Sequence, residues 1–124
     1  MASSFGELRG QCPLQLQHVD KGFDVDVGLK ADLDRLEVLW AQGAKFKSNG
    51  PWLFGEYSIA DCMFAPVTAR IIGYDLPVSA APRAYCMLTI NDRQFKAWRA
   101  EGQKTICDPF PYDIGVPIEL WPDS

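Results

Sequence analysis

The 124-residue chain lacks the features that would place it in a membrane or on nucleic acid. No apolar run approaches the ~20 residues needed to span a bilayer, and the N-terminus has no basic segment followed by an apolar one, as a signal peptide would. Lys and Arg form no cluster, and the net charge of -4 repels phosphate backbones and anionic lipids on average. We therefore expect a cytoplasmic protein that binds neither nucleic acid nor membranes.

Histidine and cysteine are scarce. The four cysteines are Cys12, Cys62, Cys86 and Cys107, with no Cys-x-x-Cys pair and no histidine beside them. We therefore expect no metal site and free thiols that pack as small apolar side chains. A disulfide between two of them is the alternative, and the sequence does not select a pair. The single histidine, His18, has no nucleophile near it in sequence. A hydrolase built on His18 therefore ranks below the alternatives given below.

The residues that are present indicate one folded helical domain. Hydrophobic residues make up 48% of the chain and charged residues 23%, the usual balance of a globular protein. Leu29, Leu33, Leu36 and Trp40 recur at the spacing of one helical face, which predicts an amphipathic helix over about residues 24–48.

The best-defined helix start is at Ser58. Ser58 and Asp61 fit the [ST]-x-x-[DE] pattern of a capping box, in which each residue's side chain accepts a hydrogen bond from the other's backbone N–H. The following residues, 59–72, are almost all apolar, which predicts a helix buried in the middle of the domain. We therefore interpret Asp61 as a structural residue and not as a catalytic acid.

The rest of the chain completes an all-α helical bundle with a tail. Further helices are predicted at 79–90 and 92–102, whereas residues 11–22 have no period and are expected to be irregular. Four prolines in the last 16 residues exclude a regular helix there, with a short strand at most in 116–120. We expect a helical domain over residues 1–102 and an extended Pro-rich tail over 103–124, packed on its surface.

Aromatic residues are the candidates for the wall of an apolar ligand cleft, although most of them are interpreted as core. The six candidates are Trp40, Trp52, Phe54, Phe64, Tyr74 and Trp98. Tyr74 and Arg70, at the far end of the apolar helix, are the first candidates to face such a cleft.

Residues 50–61 read Gly-Pro-Trp-Leu-Phe-Gly-Glu-Tyr-Ser-Ile-Ala-Asp and are followed by Phe64-Ala65-Pro66-Val67. This segment resembles the G-x-[FW]-L-F-G-x-[FY]-[ST]-x-A-D…APV segment of bacterial glutathione transferases. The resemblance extends over about residues 3–101, through the helix at 32–40 and the segment 94–98. It implies the five-helix fold of the C-terminal domain of that family.

The resemblance also implies which functions the chain would have. In the family, the residue that activates the glutathione thiol and most of the glutathione site belong to a thioredoxin-like N-terminal domain, which is expected to be missing here. The resemblance therefore implies no catalytic residue in this chain. It implies that glutathione is a cofactor only if such a domain is supplied. It implies a pocket wall for an apolar second substrate at Phe5, Arg9, Arg70 and Tyr74.

Without that domain, one helical face would be left in water, and large exposed apolar patches are unusual on soluble monomers. We expect a homodimer or another partner to cover the face, with help from the tail. The first functional hypothesis is a non-catalytic module that binds an apolar small molecule or a protein. The second is a truncated or split half of a glutathione transferase that needs a thioredoxin-like domain for activity.

Overall fold

The computed structural model describes residues 4–105 and 115–122. These residues form five helices and one pair of very short strands, so the prediction of an all-α bundle is confirmed. None of these helices is long and apolar enough to cross a membrane. The elements in chain order are α1 (Gly6–Gln11), β1 (Val19–Asp20), α2 (Val27–Ala44), α3 (Ile59–Gly73), α4 (Ala80–Ile90), α5 (Arg93–Lys104) and β2 (Ile118–Glu119).

Helix α2 begins where a carboxylate can cap it. The side chain of Asp26 accepts a hydrogen bond from the backbone N–H of Leu29 at 2.8 Å, which satisfies one of the free donors of the first turn. The predicted apolar stripe of Leu29, Leu33, Leu36 and Trp40 is buried along its whole length. This stripe therefore fixes which face of α2 points into the core.

Helix α3 packs mainly against α4, and α1 packs against α2. The second half of α3 is buried, including Val67 and Ile71. The first half departs from the expectation of a helix buried on all sides, because the side chains of Ile59 and Met63 are 80% and 52% exposed. The neighbouring helices cover only one side of this first half, which leaves an apolar face in solvent.

The described part of the tail pairs with the segment after α1. Strands β1 and β2 are antiparallel, with Val19 opposite Glu119 and Asp20 opposite Ile118. The predicted strand region 116–120 contains β2, whereas the segment 11–22, predicted to be irregular, contains β1. The pairing explains this difference, because each two-residue strand exists only through its partner.

Trp121 fastens the tail to the bundle. Its side chain is buried, and its indole N–H donates to the carbonyl oxygen of Leu16 at 3.1 Å. The ring packs edge-on against Phe95, with centroids 6.1 Å apart, and the Arg99 guanidinium lies 5.3 Å from its centroid. Residues 106–114 of the predicted tail lie outside the described residues.

Candidate functional site

A cleft of about 670 Å³ lies between α2, α4 and the connector that joins α2 to α3. This volume lies within the range of pockets that hold small molecules. The connector contributes Lys47, Pro51 and Leu53 to the cleft, and most of the lining side chains are apolar. The arrangement suits an apolar ligand of modest size.

Small side chains create the space. On α2, Ala41 and Ala44 are three residues apart and share one face, and on α4 the lining includes Ala81 and Ala84. Because each alanine ends at Cβ, these parts of the two helices cannot fill the volume between them. The cleft therefore follows from alanine at facing positions of the two helices.

Two aromatic rings form the inner wall. Trp40 and Tyr85 are both buried and pack edge to face, with centroids 4.9 Å apart and an interplanar angle of 74°, a favourable arrangement of two rings. The Tyr85 hydroxyl donates to Oδ1 of Asp61 at 2.8 Å. The position of the Tyr85 ring is thus fixed from behind by a carboxylate.

Asp61 organises this wall from the start of α3. Ser58 and Asp61 form a capping box, whose shortest side-chain contact is the Ser58 N–H donating to Oδ2 of Asp61 at 2.9 Å. Oδ1 of the same carboxylate also accepts from the backbone N–H of Leu53 at 3.2 Å. Since Leu53 and Tyr85 both line the cleft, one buried carboxylate caps a helix and holds two lining residues.

The described residues that line the cleft include no histidine and no cysteine, so the cleft holds no Ser–His or Cys–His pair. Burial, and next the hydrogen bond to Asp61, raise the pKa of Tyr85 well above its usual value, so its phenol stays protonated at neutral pH. Ser79 donates its hydroxyl to Glu37 at 2.5 Å. His18 does not line the cleft and lies beside Asp20, with Nε2 and Oδ1 3.3 Å apart. The described lining of this cleft therefore does not form a site built on His18.

No group of three or more potential metal ligands comes together in the described ranges, 4–105 and 115–122. The acidic residues Asp20, Asp24 and Asp26 lie near one another in sequence, but two of them make other contacts. Oδ2 of Asp20 accepts a hydrogen bond from Nε2 of Gln15 at 3.1 Å. Asp26 caps α2, and the backbone N–H of Leu29 is the main reason that its pKa is lowered.

The four residues implied as a pocket wall do not line the α2–α4 cleft. Phe5 is buried at the start of α1, with the Arg35 guanidinium 5.7 Å from its ring centroid. Arg9 is exposed, and its Nε donates to the carbonyl oxygen of Ser4 at 3.1 Å. A ligand role for Phe5 and Arg9 stays a prediction.

Arg70 and Tyr74 hold the segment after α1 against the end of α3. Arg70 Nε donates to the carbonyl oxygen of Cys12 at 2.8 Å, and the Tyr74 hydroxyl donates to that of Pro13 at 2.6 Å. These polar atoms therefore stabilise the path of the chain. A ligand role for Arg70 and Tyr74 stays a prediction.

The cysteines give a prediction that tests this burial pattern. Burial raises the pKa of both Cys12 and Cys86 to about 12, whereas Cys62 is exposed. In a Cys107→Ser background, which removes the one cysteine outside the described residues, a chromogenic disulfide reagent should react quickly with one thiol in buffer and with three in denaturant. Rapid reaction of all three thiols in buffer would contradict the burial of Cys12 and Cys86.

Sequence analysis missed the cleft, although Trp40 was among the aromatic candidates for one. The signal that was present is the repetition of alanine at helical spacing, at Ala41 and Ala44 and again at Ala81 and Ala84. This spacing shows that each helix has a small-residue patch. It does not show that the two patches face each other.

The geometry defines an all-α domain built around a capped helix, with an apolar cleft beside the cap. The family model of the glutathione S-transferase C-terminal domain matches residues 15–104. The chain therefore belongs to the family of glutathione S-transferase C-terminal domains. Searches among curated proteins and among solved structures returned no significant match.

Proposed function

We propose that this domain binds a small apolar molecule in the α2–α4 cleft and catalyses no reaction on its own. The observation that carries the proposal is the cleft itself, about 670 Å³ in volume with mainly apolar walls. Its inner wall is held rigid, because Tyr85 packs against Trp40 and is hydrogen-bonded to Asp61. A preformed wall lowers the entropy cost of binding.

Filling the cleft should weaken binding strongly. Ala84→Phe places a large side chain among the lining residues, and we expect the affinity for a neutral solvatochromic dye such as Nile red to fall at least about tenfold. The matched control is Ala97→Phe, which adds the same side chain at an exposed position of α5 away from the cleft. Fluorescence titration measures both affinities. Equal binding by the two variants would place the dye elsewhere.

The absence of catalysis is tested on the same sample. The purified chain should give no conjugation of glutathione to a chromogenic electrophile above the buffer rate. Turnover by the chain alone would overturn the non-catalytic part of the proposal and would require a group in this chain that activates the glutathione thiol.

A second candidate is one part of a glutathione transferase that works only with a thioredoxin-like domain. The family membership supports it, as does the exposed apolar face around Ile59 and Met63, which such a domain or a second copy of the chain would cover. Adding a separately produced thioredoxin-like domain of a glutathione transferase should then generate conjugating activity. Sedimentation of the chain alone tests whether two copies of it associate.

A further inference from the structure

The two charged residues of the cleft differ in whether they are already paired. Glu37 is occupied, because its Oε1 accepts from the backbone N–H of Ser79 at 2.6 Å and its Oε2 accepts from the Ser79 hydroxyl at 2.5 Å. Ser79 is the N-cap residue of α4. Among the described residues of the lining, the one carboxylate is therefore used to hold α4 against α2.

Lys47 is the other charged residue of the lining, and its ammonium group has no ion-pair or hydrogen-bond partner within residues 4–105 and 115–122. The indole N–H of Trp40 also lacks a partner in this part of the chain, although Trp40 is only 7% exposed. Buried donors without acceptors are unusual. The Trp40 N–H is itself buried, so the Lys47 ammonium is the charged group of the described lining that is left free to meet a ligand.

From this asymmetry, and on the basis of the proposed function, we infer that the ligand is an apolar monocarboxylate. Its hydrocarbon part lies among the alanines of α2 and α4, and its carboxylate lies at the rim, beside the Lys47 ammonium. Glu37 lies on α2 about two turns before the end of the helix at Ala44, and Lys47 lies beyond that end. The negative charge of Glu37 disfavours a second carboxylate on the ligand.

The preference is local and not a property of the whole protein. The net charge of -4 repels anions on average, so a carboxylate that binds better than a neutral molecule of the same length must do so through a nearby cation. Lys47 is exposed, so salt screens the attraction, and the preference should shrink as ionic strength rises.

The test compares octanoate, octanol and octylamine, which share one apolar chain, by displacement of Nile red at pH 7 and low ionic strength. We expect octanoate to bind roughly fivefold more tightly than octanol, with octylamine the weakest. Lys47→Gln should remove this preference, so that octanoate and octanol bind with equal affinity. Lys45→Gln, which removes the same charge two residues away and outside the lining, should keep it.

Three outcomes would overturn the inference. Equal binding of octanoate and octanol by the unmodified protein would refute the anion preference and leave apolar binding in the cleft intact. An equal loss in Lys45→Gln and Lys47→Gln would show that the effect comes from overall charge. If the dye and all three ligands fail to bind, the proposed function fails together with the inference.

Discussion

Replacing Asp61 by alanine should lower the free energy of unfolding by about 3–5 kcal/mol, a large part of the stability of a domain of this size. The fully buried carboxylate accepts hydrogen bonds from Ser58, Leu53 and Tyr85. Without it, three donors lose their acceptor where little water can replace it. Urea unfolding followed by circular dichroism measures the effect.

The control for this experiment is an aspartate that makes only an exposed contact. Asp34 lies on α2 and pairs with Lys30 four residues earlier, with both side chains mostly exposed. Asp34→Ala should therefore change stability by less than about 0.5 kcal/mol. If Asp61→Ala were equally mild, Asp61 could not be the centre of the hydrogen-bond network described above.

Replacing Trp121 by alanine should cost about 3 kcal/mol, because it removes a buried indole from between α5 and the segment after α1. The carbonyl oxygen of Leu16 loses its donor in the same step. The β1–β2 pairing should weaken as well, so that the amide of Lys21, which donates to Pro117 at 2.7 Å, exchanges faster with deuterium.

Leu120→Ala is the matched control for Trp121. Leu120 is the neighbouring residue and is 79% exposed, so its truncation should be nearly neutral and should leave the exchange of Lys21 unchanged. Equal effects of the two substitutions would indicate that the tail contributes through its backbone and not through the buried ring.

The sequence predicts local features of this fold well. The [ST]-x-x-[DE] pattern places the start of α3 at Ser58, where the structure has a capping box, and the spacing of Leu29, Leu33, Leu36 and Trp40 identifies the buried face of α2. Each of these two signals comes from residues that are close together in the sequence. Local hydrogen bonds and helical periodicity are enough to produce them.

The additional contacts of Asp61 and the pairing of β1 with β2 are not local. Tyr85 is 24 residues from Asp61 in sequence, and a capping pattern carries no information about a third partner. Val19 and Asp20 pair with residues near the end of the chain, and two residues are too few to show a strand period. Such contacts depend on how the helices pack.

The cleft could not be predicted for a similar reason. Alanine at helical spacing is common in helices that pack closely, so Ala81 and Ala84 alone do not indicate a cavity. The pocket wall implied by the family resemblance lies elsewhere, where Arg70 and Tyr74 bind backbone carbonyls. Only the arrangement of α2 and α4 shows that the alanines face each other across a space.

The most direct test of the proposed function is a titration of the ¹⁵N-labelled chain with octanoate, followed by the amide resonances and the Trp40 indole resonance. Binding in the α2–α4 cleft predicts that the largest shift changes occur at Trp40, Ala44, Ala84 and Leu88, with little change at Phe5, Arg9, Arg70 and Tyr74. The reverse pattern would move the site to the pocket wall implied by the family resemblance. If neither octanoate nor octanol gives a saturable shift at either set, binding of a small apolar molecule by this domain is contradicted.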